Sequence, residues 1–170
     1  MNNYDISVPA FLRGFKLVLT WLDKAEAFAG SPSAANDLVS ARLAPDMLNF
    51  AGQIQRASDA AKGCGARLTG VAAPSFADEE TTFAELRERI AKTVAFLGTL
   101  TPQQFEAHAG AEVVLKLPQG SLTFTTQEYL LQFALPNFYF HLTTAYDLLR
   151  HNGVPLGKMD YLGVLDRVVG

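Results

Sequence analysis

The sequence predicts an all-α domain, a four-helix bundle with a small β-hairpin between its third and fourth helices. Three observations carry this reading. Apolar residues recur at spacings of three and four along four long stretches. Between Val113 and Phe124 that period drops to two. Helix-start signals precede several of the stretches. With 170 residues, 49% of them hydrophobic and 18% charged, the chain is long enough to bury one core, and it reads as a single domain, residues 1–170.

The first helix is expected from about Val8 to Ala29, where Phe11, Phe15, Val18, Leu19 and Leu22 share a face, and the "GSPSAAN" segment after it reads as a loop. The second runs from about Ala44 to Leu68, with Pro45 in its first turn. Its stripe of Met47, Ala51, Ile54, Ala57, Ala61 and Cys64 is mostly small, which lets neighbouring helices approach closely. The third covers Phe83 to Leu100, opened by a capping box of Thr82 and Glu85. In "RERIAK" it carries what reads as a solvated charge run, and the acidic "FADEETTF" before it reads as a solvated turn. Thr101, Pro102 and Gln104 then start a short helical turn. In "EVVLKLPQGSLTF" alternating apolar residues flank Pro118-Gln119-Gly120-Ser121, the chemistry of a hairpin. A second capping box, Thr125 and Glu128, opens the fourth helix at about Thr126 and carries it to Arg150, before an irregular tail. The long crossover through the hairpin allows an up-down-down-up order.

Composition excludes several function classes. A formal charge of −3 leaves no basic face for nucleic acid. The uncharged run from Tyr129 to Tyr146 contains Gln132, Pro136, Asn137 and His141, each costly in hydrocarbon, so no membrane role is expected. "MNNYDISVPAFLRGF" has no secretory pattern, and the single cysteine, Cys64, suits a reducing compartment as a buried inert thiol. A cytoplasmic location is the expectation. Glycine-rich phosphate loops, nucleophile elbows, HExxH and CxxC are absent from the sequence.

The candidate site lies in "QFALPNFYFHLTTAYDLLRH". Asn137 and His141 are four apart and project from one helix face. Pro136 lacks an N–H and blocks the carbonyl near Gln132, so the helical ladder is expected to open there. On the second helix Gln55, Asp59 and Lys62 share a face, and Asp59 is the acidic residue available to meet the pair. Asp59, Asn137 and His141 together would offer a carboxylate, an amide oxygen and an imidazole to a divalent cation, with His141 and Asp59 in the catalytic roles. The same residues also read as a buried polar network that holds two helices in register without chemistry. His108 reads as a surface residue, and His151 as a terminal-turn residue facing open carbonyls.

The stretches "YDISVPAFLRGFKLVLTWLDKAEA", "ARLAPDMLNFAGQIQRASDAAKG", "PSFADEETTFAELRERIAKTVAFL" and "NFYFHLTTAYDLLRHNGVPLGKMDYLG" span nearly the whole chain. Together they resemble the DinB/YfiT-like superfamily, and within it a bacterial family of unknown function. That resemblance implies an up-down-down-up bundle, a homodimer and, in many members, a nickel or zinc ion on three histidines. One histidine comes from the second helix and two, spaced by four, from the last long helix. Relatives include thiol-dependent transferases and a maleylpyruvate isomerase, so a metal-dependent hydrolase or thiol transferase acting on a small molecule is implied. His141 matches the second member of the last-helix pair, and Asn137 stands where the first would be. The second helix has no histidine; Asp59 is the expected equivalent, with Gln55 or Arg56 the alternatives if the alignment slips a turn.

Overall fold

The structure, a computed structural model, describes residues 2–164. Helix α1 (Asn3–Ala29) begins on a reciprocal cap. The Asn2 side chain accepts from the Asp5 N–H at 3.0 Å, and Asp5 Oδ2 accepts from the Asn2 N–H at 3.0 Å. This cap places the start ahead of the expected Val8 and leaves Pro9 inside the helix.

Helix α2 (Pro32–Ser40) occupies the segment expected to be a loop. Ser31 accepts from the Ala34 N–H at 3.3 Å and Pro32 takes the first helical position, so the same breakers start a helix. The following connection is irregular, with Arg42 Nη1 donating to the Met47 carbonyl at 2.7 Å. Pro45 lies in it rather than in a helix, because α3 (Phe50–Thr69) starts only where Asn49 caps the Gly52 N–H at 2.9 Å. Helix α3 ends at Gly70, whose φ of +75° suits glycine.

Helix α4 (Phe83–Gly98) opens on the expected Thr82–Glu85 box, and α5 (Pro102–Ala107) is the short turn after it. Strands β1 (Glu112–Leu117) and β2 (Gly120–Thr125) pair antiparallel, from Glu112 opposite Thr125 to Leu117 opposite Gly120. Val113 and Leu115 are buried on the inner face of the hairpin, while Leu117 and Leu122 near its tip are exposed.

The last long run comprises α6 (Thr126–Tyr129), one wide π turn (Leu130–Ala134) and α7 (Leu135–His151). The ladder opens as expected ahead of Pro136, since the Leu135 N–H reaches back five residues to the Leu130 carbonyl. A single wide turn shifts the hydrogen bonding where proline offers no donor, and the helix continues. Part of the tail forms α8 (Lys158–Leu162), where an irregular segment was expected. Trp21 Nε1 donates to the Asp160 carbonyl at 2.9 Å, and Lys24 Nζ meets Asp160 Oδ1 at 2.6 Å, which holds α8 on α1.

The four long helices α1, α3, α4 and α7 pack on one core in which Phe11, Phe15, Trp21, Phe50, Ile54 and Phe138 are fully buried. Small side chains set the helix spacing. A Cβ on Gly14 of α1 would lie 2.7 Å from the Phe138 ring of α7, so these helices meet closely only because residue 14 is glycine. Ala51, Ala57, Ala61 and Cys64 are buried along α3, which packs against α7 on one side and α4 on another. Among the described residues no helix is long and apolar enough to cross a membrane.

Candidate functional site

Helix α3 carries polar groups toward two neighbours, and they differ in what they leave available. Toward α7, Gln53 is 2% exposed and contacts His141. Its Nε2 donates to the Leu48 carbonyl at 3.1 Å, which turns the amide oxygen the other way. That oxygen lies 2.7 Å from His141 Nδ1. An amide oxygen only accepts, so Nδ1 carries the proton and donates, and Nε2 keeps its lone pair. No described residue hydrogen-bonds Nε2, and it is not sealed from solvent. Burial of the ring, and then the nearby Arg56 charge, hold the His141 pKa below the ordinary imidazole range. His141 is therefore a neutral imidazole at neutral pH, with a fixed tautomer and an open basic nitrogen. The Phe140 ring stands edge-on to it at 5.2 Å and is exposed.

Asn137 lies one turn earlier on α7, half-buried, and its side chain has no hydrogen-bond partner among the described residues. Asp59 takes part in a different cluster, on the α4 side of α3. Its carboxylate meets Arg89 Nη2 at 2.9 Å, Lys62 Nζ at 2.9 Å and Arg56 Nη1 at 3.2 Å. The structure thus places Asn137 and His141 on one helix face, and pairs His141 with Gln53 and Asp59 with cations.

Arg89 organises that second cluster. It is 2% exposed, so "RERIAK" is only partly a solvated run. Beyond Asp59, its Nη1 meets Asp78 Oδ1 and Glu80 Oε1, each at 3.0 Å, and the Phe76 ring lies 5.2 Å from the guanidinium. Gln55 Nε2 donates to Glu80 Oε2 at 2.9 Å, and Arg56 pairs with Asp78. The acidic turn expected to be solvated instead ties the α3–α4 connection to both helices. Charge complementarity explains the difference: Asp59, Asp78 and Glu80 face Arg56, Lys62 and Arg89, three against three. A cleft of about 290 Å³ beside Arg89 is lined by Phe76, Glu80 and Lys92, and its Glu80 is already paired in this way.

These contacts test whether a divalent ion of the kind the resemblance implies would fit the residues present. It does not fit Asp59, Asn137 and His141 as a set. A dication near Asp59 would meet three positive groups and displace charge-assisted hydrogen bonds. Asn137 offers a neutral amide, and one imidazole remains. Among the described residues no three His, Cys, Asp or Glu side chains form a metal-holding group.

Gln53 is the residue that sequence reasoning missed. The signal was present, since Gln53 stands four residues before Ala57 on the buried stripe and is polar where its neighbours are small or apolar. Two other expectations concern His108 and Cys64. His108 is half-buried rather than a surface residue, its ring packs against Gly70, and its Nδ1 is buried with no described partner. Cys64 is a buried free thiol, and burial pushes its pKa up to about 12.

A family model described as a domain of unknown function, DUF1993, matches residues 3–162. The chain is also similar to a crystal structure of a DinB family member protein from Shewanella denitrificans, with 41% identity and a TM-score of 0.90. That similarity covers 98% of this chain and 95% of the other. No curated protein matches the chain.

Proposed function

The chain belongs to the DUF1993 family and is a DinB-like domain, and on that premise we propose that it is a ligand-binding bundle with His141 as its hydrogen-bonding centre. Its long helices run up-down-down-up in this reading, and the site lies between α3 and α7. The observation that supports it is the Gln53 amide, which donates to Leu48 and turns its oxygen to 2.7 Å from His141 Nδ1, an arrangement that favours a proton on Nδ1. A fixed neutral tautomer with an open Nε2 suits a small protic ligand, one that donates an O–H or N–H to nitrogen. The exposed Phe140 ring beside it suits an aromatic or aliphatic body on that ligand. The unpartnered amide of Asn137 supplies a second polar contact on the same face.

A metal-dependent hydrolase or thiol transferase would need an ion held by Asp59, Asn137 and His141, and the three cations around Asp59 weigh against it. The non-catalytic reading is therefore preferred. A homodimer belongs to the same proposal, supported by the exposed apolar residues Leu131 and Tyr139 along the last helical run. Light scattering tests that part, and a mass of one chain in solution would contradict it.

The binding reading is tested by titrating metal-free protein with a panel of small phenols and aromatic acids. The ¹⁵N resonance of His141 Nε2 should shift saturably with at least one member and lose that response in Gln53→Leu. A panel that leaves Nε2 unmoved, or a response independent of Gln53, would contradict the reading.

A further inference from the structure

We propose that the Gln53–His141 hydrogen bond is a metal-free replacement for an ion bridge between α3 and α7. Gln53, rather than Asp59, is then the α3 position from which such a bridge is made. The inference shares His141 with the ligand-binding reading but does not require that reading to hold.

Three positions define the arrangement. Gln53 comes from α3, and Asn137 and His141 come from one face of α7 at a spacing of four. Gln53 and His141 are already joined at 2.7 Å across the two helices. Asn137 is half-buried on the same face as His141, and its amide has no described partner. The amide donors reach as many bonds from Cα as imidazole nitrogens do. Glutamine Oε1 and histidine Nε2 are both four bonds from Cα; asparagine Oδ1 and histidine Nδ1 are both three bonds away. Two substitutions could therefore place two more imidazoles at the reach the amides now have. As built, two neutral amides and one imidazole form a poor set for zinc or nickel, which favour imidazole and thiolate. The amide oxygen of Gln53 is also committed to the Nδ1 proton. In this chain a hydrogen bond links the helices, with no ion needed to complete the link.

The test compares the wild type with Gln53→His/Asn137→His, both stripped by chelation and titrated with Zn²⁺ and with Ni²⁺. Calorimetry should show no saturable site in the wild type and one ion per chain in the double variant. The double variant's Tm should rise with ion concentration as binding selects the folded state, and adding His141→Ala should abolish both effects. A wild type that binds one ion tightly would overturn the proposal. So would a folded double variant that binds none. If the double variant is unfolded without metal, recovery of helical circular dichroism on adding Zn²⁺ is the expected result, and no recovery overturns the proposal. The ligand-binding reading is judged separately, by organic ligands acting on Nε2 of metal-free wild type.

Discussion

Two polar clusters flank the same helix, and they solve opposite problems. The Arg89 cluster, between α3 and α4, is paired internally: both Nη atoms of its buried guanidinium face Asp59, Asp78 and Glu80, while Nε has no described partner. The Gln53–His141 pair, between α3 and α7, uses one ring nitrogen and leaves the other open. A network that consumes its charges internally holds a structure together. A network that fixes one end of a titratable ring and leaves the other unpaired keeps that nitrogen available, which is what the proposed ligand binding requires. Asp59, the acidic residue of α3, belongs to the first kind.

Removing Arg89 should have the largest effect. Arg89→Met should cost about 3 kcal/mol, the lower end for a broken buried ion pair, because Asp59 and Asp78 keep access to water. Urea denaturation measures it, and a loss below about 1 kcal/mol, the scale of an exposed pair, would contradict the structural role. Gln53→Leu should cost less, about 1–2 kcal/mol, through the lost hydrogen bond and the unpaired Leu48 carbonyl. Unlike Arg89→Met, it should also release the tautomer of His141, visible as mixed Nδ1–H and Nε2–H signals.

A subtler distinction is the pH dependence of stability. The His141 pKa is lowered in the folded chain, so the unfolded chain takes up this proton first as pH falls below 6.5. Stability from this group is fully present above the unfolded pKa, falls as pH drops through that value and is lost below the folded pKa. His141→Gln should flatten the stability profile in that window, and an unchanged slope would count against the assignment. Gln53→Glu should act in the other direction, since a carboxylate beside the imidazole favours its charged form and raises the His141 pKa. The smallest effect is expected from Asn137→Ala, within about 0.5 kcal/mol, as no described partner is lost. A large loss there would place Asn137 in the structural class with Arg89.

What could be read from the sequence follows the range of the interactions involved. Local signals were legible: the Thr82–Glu85 and Thr125–Glu128 caps, the hairpin's change of period, and the opening of the ladder ahead of Pro136. Helix α2 was not, because Ser31-Pro32 serves equally as a breaker and as a helix start, and only the packing of Ala35 and Leu38 on the core decides. Arg89 looked solvated because its partners, Asp78 and Glu80, come from a loop whose path is set by the fold. Spacing places Asn137 and His141 on one face of the last long helix, as in the structure, but the α3 contact to His141 comes from a neutral amide in the buried stripe and not from the charged Asp59.

If Gln53 holds His141 neutral, protonated on Nδ1 and open at Nε2, long-range ¹H–¹⁵N NMR of the imidazole at pH 7 reads both nitrogens at once. The expected spectrum has a protonated Nδ1 and a bare Nε2, unchanged by chelator, and it collapses to a tautomer mixture in Gln53→Leu. A proton on Nε2 in the wild type, or a spectrum indifferent to Gln53, would contradict it.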